Sequence, residues 1–111
     1  MIKIWNKLTK KQEALIPRLY STENISLEDK KVYAKFFLGE FTWYILEFDG
    51  KDTMFGLVVS SMTPRGEFGY ISYNELKSIK SGFVQVDREI HQVNPREPKK
   101  LSIMLKEDRV R

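Results

Sequence analysis

From Lys31 to Ile71 the chain alternates runs of β-forming residues with tight-turn signals, and this punctuation leaves little room for any fold but an antiparallel meander. In Lys31–Leu38, Val32, Ala34, Phe36 and Leu38 alternate with Tyr33, Lys35 and Phe37, the period of a strand. Gly39-Glu40 supplies a short turn. Phe41–Phe48 then places Trp43 and Ile45 on one face and Tyr44, Leu46 and Phe48 on the other. A strand apolar on both faces belongs in the middle of a sheet. Asp49-Gly50 is a strong hairpin signal, Met54–Ser60 returns as a third strand, Thr63-Pro64-Arg65-Gly66 turns again, and Glu67–Ile71 makes a fourth. Phe83–Val86 reads as a fifth.

Helical signals flank the meander. Thr9-Lys10-Lys11-Gln12 has capping-box spacing, so a helix begins there, and with Pro17 ending or kinking it nearby, one bent helix to about Tyr20 is expected. Ser72-Tyr73-Asn74-Glu75 repeats the spacing and predicts a short helix near 73–80, which Gly82 is placed to close. Pro95 and Pro98 interrupt regular structure, and Leu101–Leu105 fits either an edge strand or a turn of helix. The expected architecture is a single α+β domain over 1–93, a curved antiparallel sheet of about five strands with an N-terminal helix, followed by a basic, proline-containing segment over 94–111.

A length of 111 residues with 41% hydrophobic residues suits one self-sufficient core. There is no cysteine, so disulfides, thiolate metal sites and cysteine nucleophiles are excluded. No apolar run approaches the ~20 residues of a membrane-spanning helix, and Met1–Lys11 has no signal-peptide pattern, so a cytoplasmic location without membrane contact is expected. The net charge of +4 sits at the ends: residues 1–11 carry four lysines and no acid, 12–87 hold 8 basic against 11 acidic residues, and 88–111 hold 7 basic against 4 acidic. Lys3, Lys7, Lys10, Lys11, Lys99, Lys100, Arg109 and Arg111 are therefore the candidate phosphate contacts if the partner is a nucleic acid.

Catalytic signals are thin. His91 is the only histidine; an enzyme would have to use it with Glu47, Asp49 or Arg88, and a zinc site would have to rest on it plus carboxylates. Glu47, Asp49 and Asp52 form the densest acidic group, but turn aspartates explain that pattern as well as a metal site does. The six glycines form no phosphate-cradling loop, and Phe55-Gly56 and Phe68-Gly69-Tyr70 suggest a bulge or a close backbone approach. No cofactor is implied. The aromatics of the strands, Tyr33, Trp43, Tyr44, Phe68 and Tyr70, serve either as core or as a stacking or docking surface. Tyr33, Trp43, Tyr70, Arg88 and His91 are the candidate partner-binding residues.

Leu8-Thr9, Leu15-Ile16-Pro17, Leu19-Tyr20, Val32 to Phe37, Trp43-Tyr44-Ile45, Glu47-Phe48-Asp49, Phe55-Gly56, Glu67 to Tyr70, Glu75-Leu76 and Val86 to Glu89 together form an ordered set of blocks. Over about residues 8–92 this set resembles a family of small bacterial domains of unknown function encoded on plasmids, conjugative elements and phages. The resemblance implies a non-enzymatic protein that binds a host protein or ribonucleoprotein effector, with inhibition of CRISPR or restriction defence as its expected use. A double-stranded-DNA mimic would be strongly acidic, and +4 argues against that mechanism. Nucleic-acid binding through the basic ends is the alternative, an enzyme built on His91 ranks last, and the oligomeric state is left open.

Overall fold

Strand order in the main sheet follows from where the chain can hide apolar surface on both sides. The computed structural model describes residues 6–81 and 84–110. Its five-stranded sheet is built from β2 (Ala34–Leu38), β3 (Phe41–Phe48), β4 (Thr53–Val59), β5 (Glu67–Ser72) and β8 (Asp87–Arg88), in the order β5-β4-β3-β2-β8. All neighbours are antiparallel. The doubly apolar β3 is central, as its composition requires. Two-stranded ladders complete the chain: β1 (Lys31–Val32) with β9 (Lys99–Lys100), and β6 (Lys80–Ser81) with β7 (Val84–Gln85). The fifth strand of the sheet is thus Asp87–Arg88 rather than Phe83–Val86. Val84–Gln85 instead folds back on Lys80–Ser81, and Phe83 and Gly82 lie outside the described residues.

The caps are where the sequence puts them. Helix α1 (Lys10–Leu15) starts with a complete capping box: Thr9 Oγ1 accepts from the Gln12 N–H at 3.1 Å and Gln12 Oε1 from the Thr9 N–H at 2.9 Å. It stops at Leu15 instead of continuing bent to about Tyr20, because Pro17 forces Ile16 into an extended conformation. Helix α2 (Tyr73–Ser78) is capped by the Ser72 hydroxyl, which accepts from the Glu75 N–H.

Two core clusters cover opposite faces of the sheet. The first holds Leu8, Ile16, Ala34, Phe36, Trp43, Ile45, Phe48, Met54, Tyr73, Leu76 and Val86. The second holds Val32, Tyr44, Leu46, Leu57, Val93, Leu101 and Met104. Simple alternation assigns Phe48 to the face of Tyr44 and Leu46, and Val32 to that of Ala34 and Phe36; both residues lie on the other side. In β3 the register with β4 slips between Ile45 and Glu47, so Leu46 is one extra residue and Leu46 and Glu47 together oppose Phe55. Side-chain parity inverts there. Phe48 enters the first cluster, and Glu47 is carried to the other face. A matching break at Tyr33, whose N–H donates to the Ile45 carbonyl at 2.9 Å, separates β1 from β2 and sends Val32 across. Gly56 makes the bulge possible, since a Cβ built there would overlap the Tyr44 carbonyl oxygen of the adjacent strand.

Residues 94–110 are part of this packing. Residues 99–100 pair with β1, and helix α3 (Leu101–Glu107) buries Leu101 and Met104 against Val32, Tyr44 and Leu46. Leu101–Leu105 is therefore helical. With a radius of gyration of 13.2 Å, the whole is one compact α+β domain. A polar latch fastens α3: the Asp108 carboxylate accepts from Tyr44 Oη at 2.6 Å, Lys35 Nζ at 2.8 Å and Gln92 Nε2 at 2.8 Å. Burial alone would raise the Asp108 pKa, but the hydrogen bonds from Lys35, Tyr44 and Gln92 outweigh it and hold the carboxyl below its ordinary value.

Gly56→Ala has to displace backbone rather than a flexible side chain, so it is expected to cost about 1–3 kcal/mol or more in a denaturant titration. Because the folded pKa of Asp108 is depressed, its contribution is present above the unfolded value of about 3.9 and is lost as pH falls through the folded value. Asp108→Asn should therefore lower stability at neutral pH by about 1–3 kcal/mol and flatten the acid limb of a melting-temperature profile.

Candidate functional site

The bulge that inverts β3 also assembles the most distinctive surface of the molecule. Register aligns Glu47, Phe55 and Tyr70 as one row across β3, β4 and β5, with Tyr44, Leu57 and Phe68 as the neighbouring row. The inner part of this face lies under α3, and the outer part, on edge strand β5, meets solvent. There Phe68 and Tyr70 are exposed, and Phe55 stacks on Phe68 at 6.2 Å and tilts against Tyr70 at 5.6 Å.

A fourth ring reaches this cluster from the loop after α1. Tyr20 adopts φ +66°, a conformation that costs a bulky residue about 1–3 kcal/mol. It is held there by Glu47, which is only 4% exposed and whose carboxylate accepts the Tyr20 N–H at 2.9 Å, the Thr22 N–H at 3.2 Å and the Thr22 hydroxyl. The Lys30 ammonium donates to the Thr22 carbonyl and to its hydroxyl oxygen, closing the network from beneath. The outcome is a ring 61% exposed, edge-on to Tyr70 at 6.4 Å, with Tyr70 Oη donating to Tyr20 Oη at 2.9 Å. Between these walls lies an open cavity of about 390 Å³, lined also by Glu23, Ile25, Ser26 and Leu27. The Tyr70 phenol is held above its ordinary pKa, first by its hydrogen bond to Tyr20, then by desolvation, with the charges of Tyr20, Glu47 and Glu23 adding to both.

The residues singled out from the sequence are dispersed. Tyr70 belongs to this face. Trp43 is buried in the first cluster and stacks on Phe41, and Tyr33 is half-buried against the same cluster. Arg88 is buried and anchors the N-terminal segment, donating to the carbonyls of Asn6 at 3.0 Å and Lys7 at 3.3 Å. His91 is exposed in a turn that its N–H ties to Glu89. The three acids of the densest cluster serve separate backbone groups: Glu47 the Tyr20 loop, Asp49 the N–H groups of 51–53, and Asp52 the start of α2. Among the described residues, no three His, Asp or Glu side chains converge on a metal-sized site.

Of the basic candidates, Lys7, Lys10 and Lys11 sit beside the first face, and Lys99, Lys100 and Arg109 beside the second. Lys10, Lys99 and Lys100 pair with Glu13, Glu107 and Asp29. Lys3 and Arg111 lie outside the described residues. A second, more apolar groove of about 650 Å³ lies between Leu38, Phe41, Trp43, Ile79 and Val84. Compared with protein families, curated proteins and solved structures, the chain matches none.

Tyr20, Phe55 and Glu23 are site residues that sequence reasoning passed over. Phe55-Gly56 was legible as a close approach, but nothing local marks Tyr20, because its ring is placed by a carboxylate 27 residues away. Glu47→Ala should free the Tyr20 loop and cost about 1–3 kcal/mol, with loss of nuclear Overhauser contacts between the Tyr20 and Tyr70 rings. Tyr20→Gly, which relieves the positive φ, should leave the melting temperature within a few degrees of wild type.

Proposed function

We propose that this chain is a non-enzymatic binding protein and that it engages a protein partner through the aromatic face of β5. The observation carrying this reading is the pairing of exposed rings with a sheet edge that no other described strand covers: Phe68 and Tyr70 face solvent on the outermost strand, and Tyr20 joins them from the loop after α1. Rings left outside the core in this way are the usual anchors of an interface. The strand itself, Glu67–Ser72, has neither proline nor lysine to discourage an added strand. Strain supports the same reading, since the fold holds Tyr20 in a left-handed conformation to present a ring that its core does not use.

The resemblance to domains of mobile genetic elements supplies the context. Within it, the partner is a host machine, a defence effector or effector–RNA complex, and the consequence of binding is inhibition. The +4 charge favours occupation of a protein or ribonucleoprotein surface over mimicry of DNA.

The test is affinity capture from bacterial lysate, with and without nuclease, using wild type and a Phe68→Ala/Tyr70→Ala variant. A stoichiometric protein that survives nuclease is expected, with binding at least tenfold weaker in the variant, the effect of losing an anchor worth about 2 kcal/mol; the variant's fold is checked by circular dichroism. Material lost on nuclease digestion, and on raising salt, would instead assign the function to nucleic acid. In a plasmid-interference assay, unaltered defence across a broad panel of effectors would defeat the inhibitor reading.

A further inference from the structure

The cavity beside the exposed rings has a definite chemistry. Three of its lining residues carry aromatic rings, with Tyr20 and Tyr70 inclined at 60° to one another and Phe55 and Tyr70 at 58°. Aromatic faces carry negative electrostatic potential. The remaining charged groups reinforce that sign, since two carboxylates, Glu23 and Glu47, line the space against one ammonium, Lys30. Those three groups differ in what is left for a ligand. Glu47 is buried and engaged with Tyr20 and Thr22, and Lys30 with the Thr22 carbonyl and hydroxyl oxygens. Among the described residues Glu23 makes no hydrogen bond or ion pair, and it is exposed.

Resting on the reading of this face as a docking surface, we propose that the cavity takes an arginine side chain of the partner, its guanidinium stacked on Tyr20, flanked by the inclined rings of Phe55 and Tyr70, and bonded to the Glu23 carboxylate. Charge complementarity selects a cation over a neutral or acidic group. Shape selects arginine over lysine: a planar guanidinium stacks on a ring while its in-plane N–H groups point outward to a carboxylate, which a tetrahedral ammonium cannot do. The location fits as well, because a strand laid along the edge of β5, which no other described strand pairs, presents alternate side chains to this face. Glu47 acts here as a positioning residue. It holds Tyr20 in place and adds its charge beneath the rings.

The experiment is an NMR titration of the full chain at low salt with N-acetyl-arginine amide, N-acetyl-citrulline amide as its neutral isostere, and N-acetyl-lysine amide. Saturable shifts of the Tyr20, Phe55 and Tyr70 ring protons are expected with the arginine probe, several-fold weaker with lysine and absent with citrulline. Glu23→Gln should weaken the arginine response about two- to fivefold, and Tyr20→Gly, with its backbone relaxed, should abolish it in a folded protein. Equal responses to arginine and citrulline, equal responses to arginine and lysine, shifts confined to other residues, or no saturable shift would each overturn the proposal. The outcome is separable from that of the capture. A partner lost in Phe68→Ala/Tyr70→Ala yet indifferent to Glu23→Gln and to excess arginine amide leaves the docking surface standing and removes the arginine.

Discussion

The single extra residue at Leu46 is the constraint on which most of the molecule depends. In a regular strand, Phe48 would share a face with Tyr44, and Glu47 would point into the apolar cluster around Trp43 and Ile45. A carboxylate there would be desolvated among hydrocarbon, at a cost of several kcal/mol. The slip between Ile45 and Glu47 resolves the conflict by placing the aromatic ring in the first core and the carboxylate on the second face. Its geometric condition is a residue without a side chain on the neighbouring strand, which Gly56 supplies beneath the Tyr44 carbonyl.

What Glu47 does after this inversion decides the shape of the surface. Three donors from residues 20 and 22 converge on its carboxylate, and charge-assisted bonds of this kind are roughly twice as strong as neutral ones. Together they offset the strained backbone at Tyr20. A loop that would otherwise relax is thereby fixed with an aromatic ring directed outward. On the inner part of the same face, Asp108 plays a comparable part with Lys35, Tyr44 and Gln92. Two carboxylates, Asp108 half-buried and Glu47 buried, thus set the limits of the face, one tying down the helix that covers it and the other fixing the loop that frames its open side.

Local chemistry was read correctly wherever it is local. The Thr9 capping box, the Ser72 cap, the turns at Gly39, Gly50 and Gly66, and the central position of β3 all depend on residues within a few positions of one another. The errors share a different origin. Phe48 and Val32 were assigned to the wrong faces because a period-two pattern carries no mark of the residue at which it inverts. Val84–Gln85 looked like a sheet strand because a two-residue hairpin has the same composition. Arg88 looked available for a partner because its burial against the Asn6 and Lys7 carbonyls is made by a segment 81 or more residues away.

By itself the sequence determined an antiparallel α+β domain, its turns and its helix starts, since these follow from side-chain preferences over a few residues. It left the aromatics of the strands open between core and docking surface. Only the tertiary structure decided which rings stay outside, because that depends on the register slip opposite Gly56 and on the carboxylate it turns toward the Tyr20 loop. Both are contacts between distant parts of the chain, and their energies exist only once the strands are side by side.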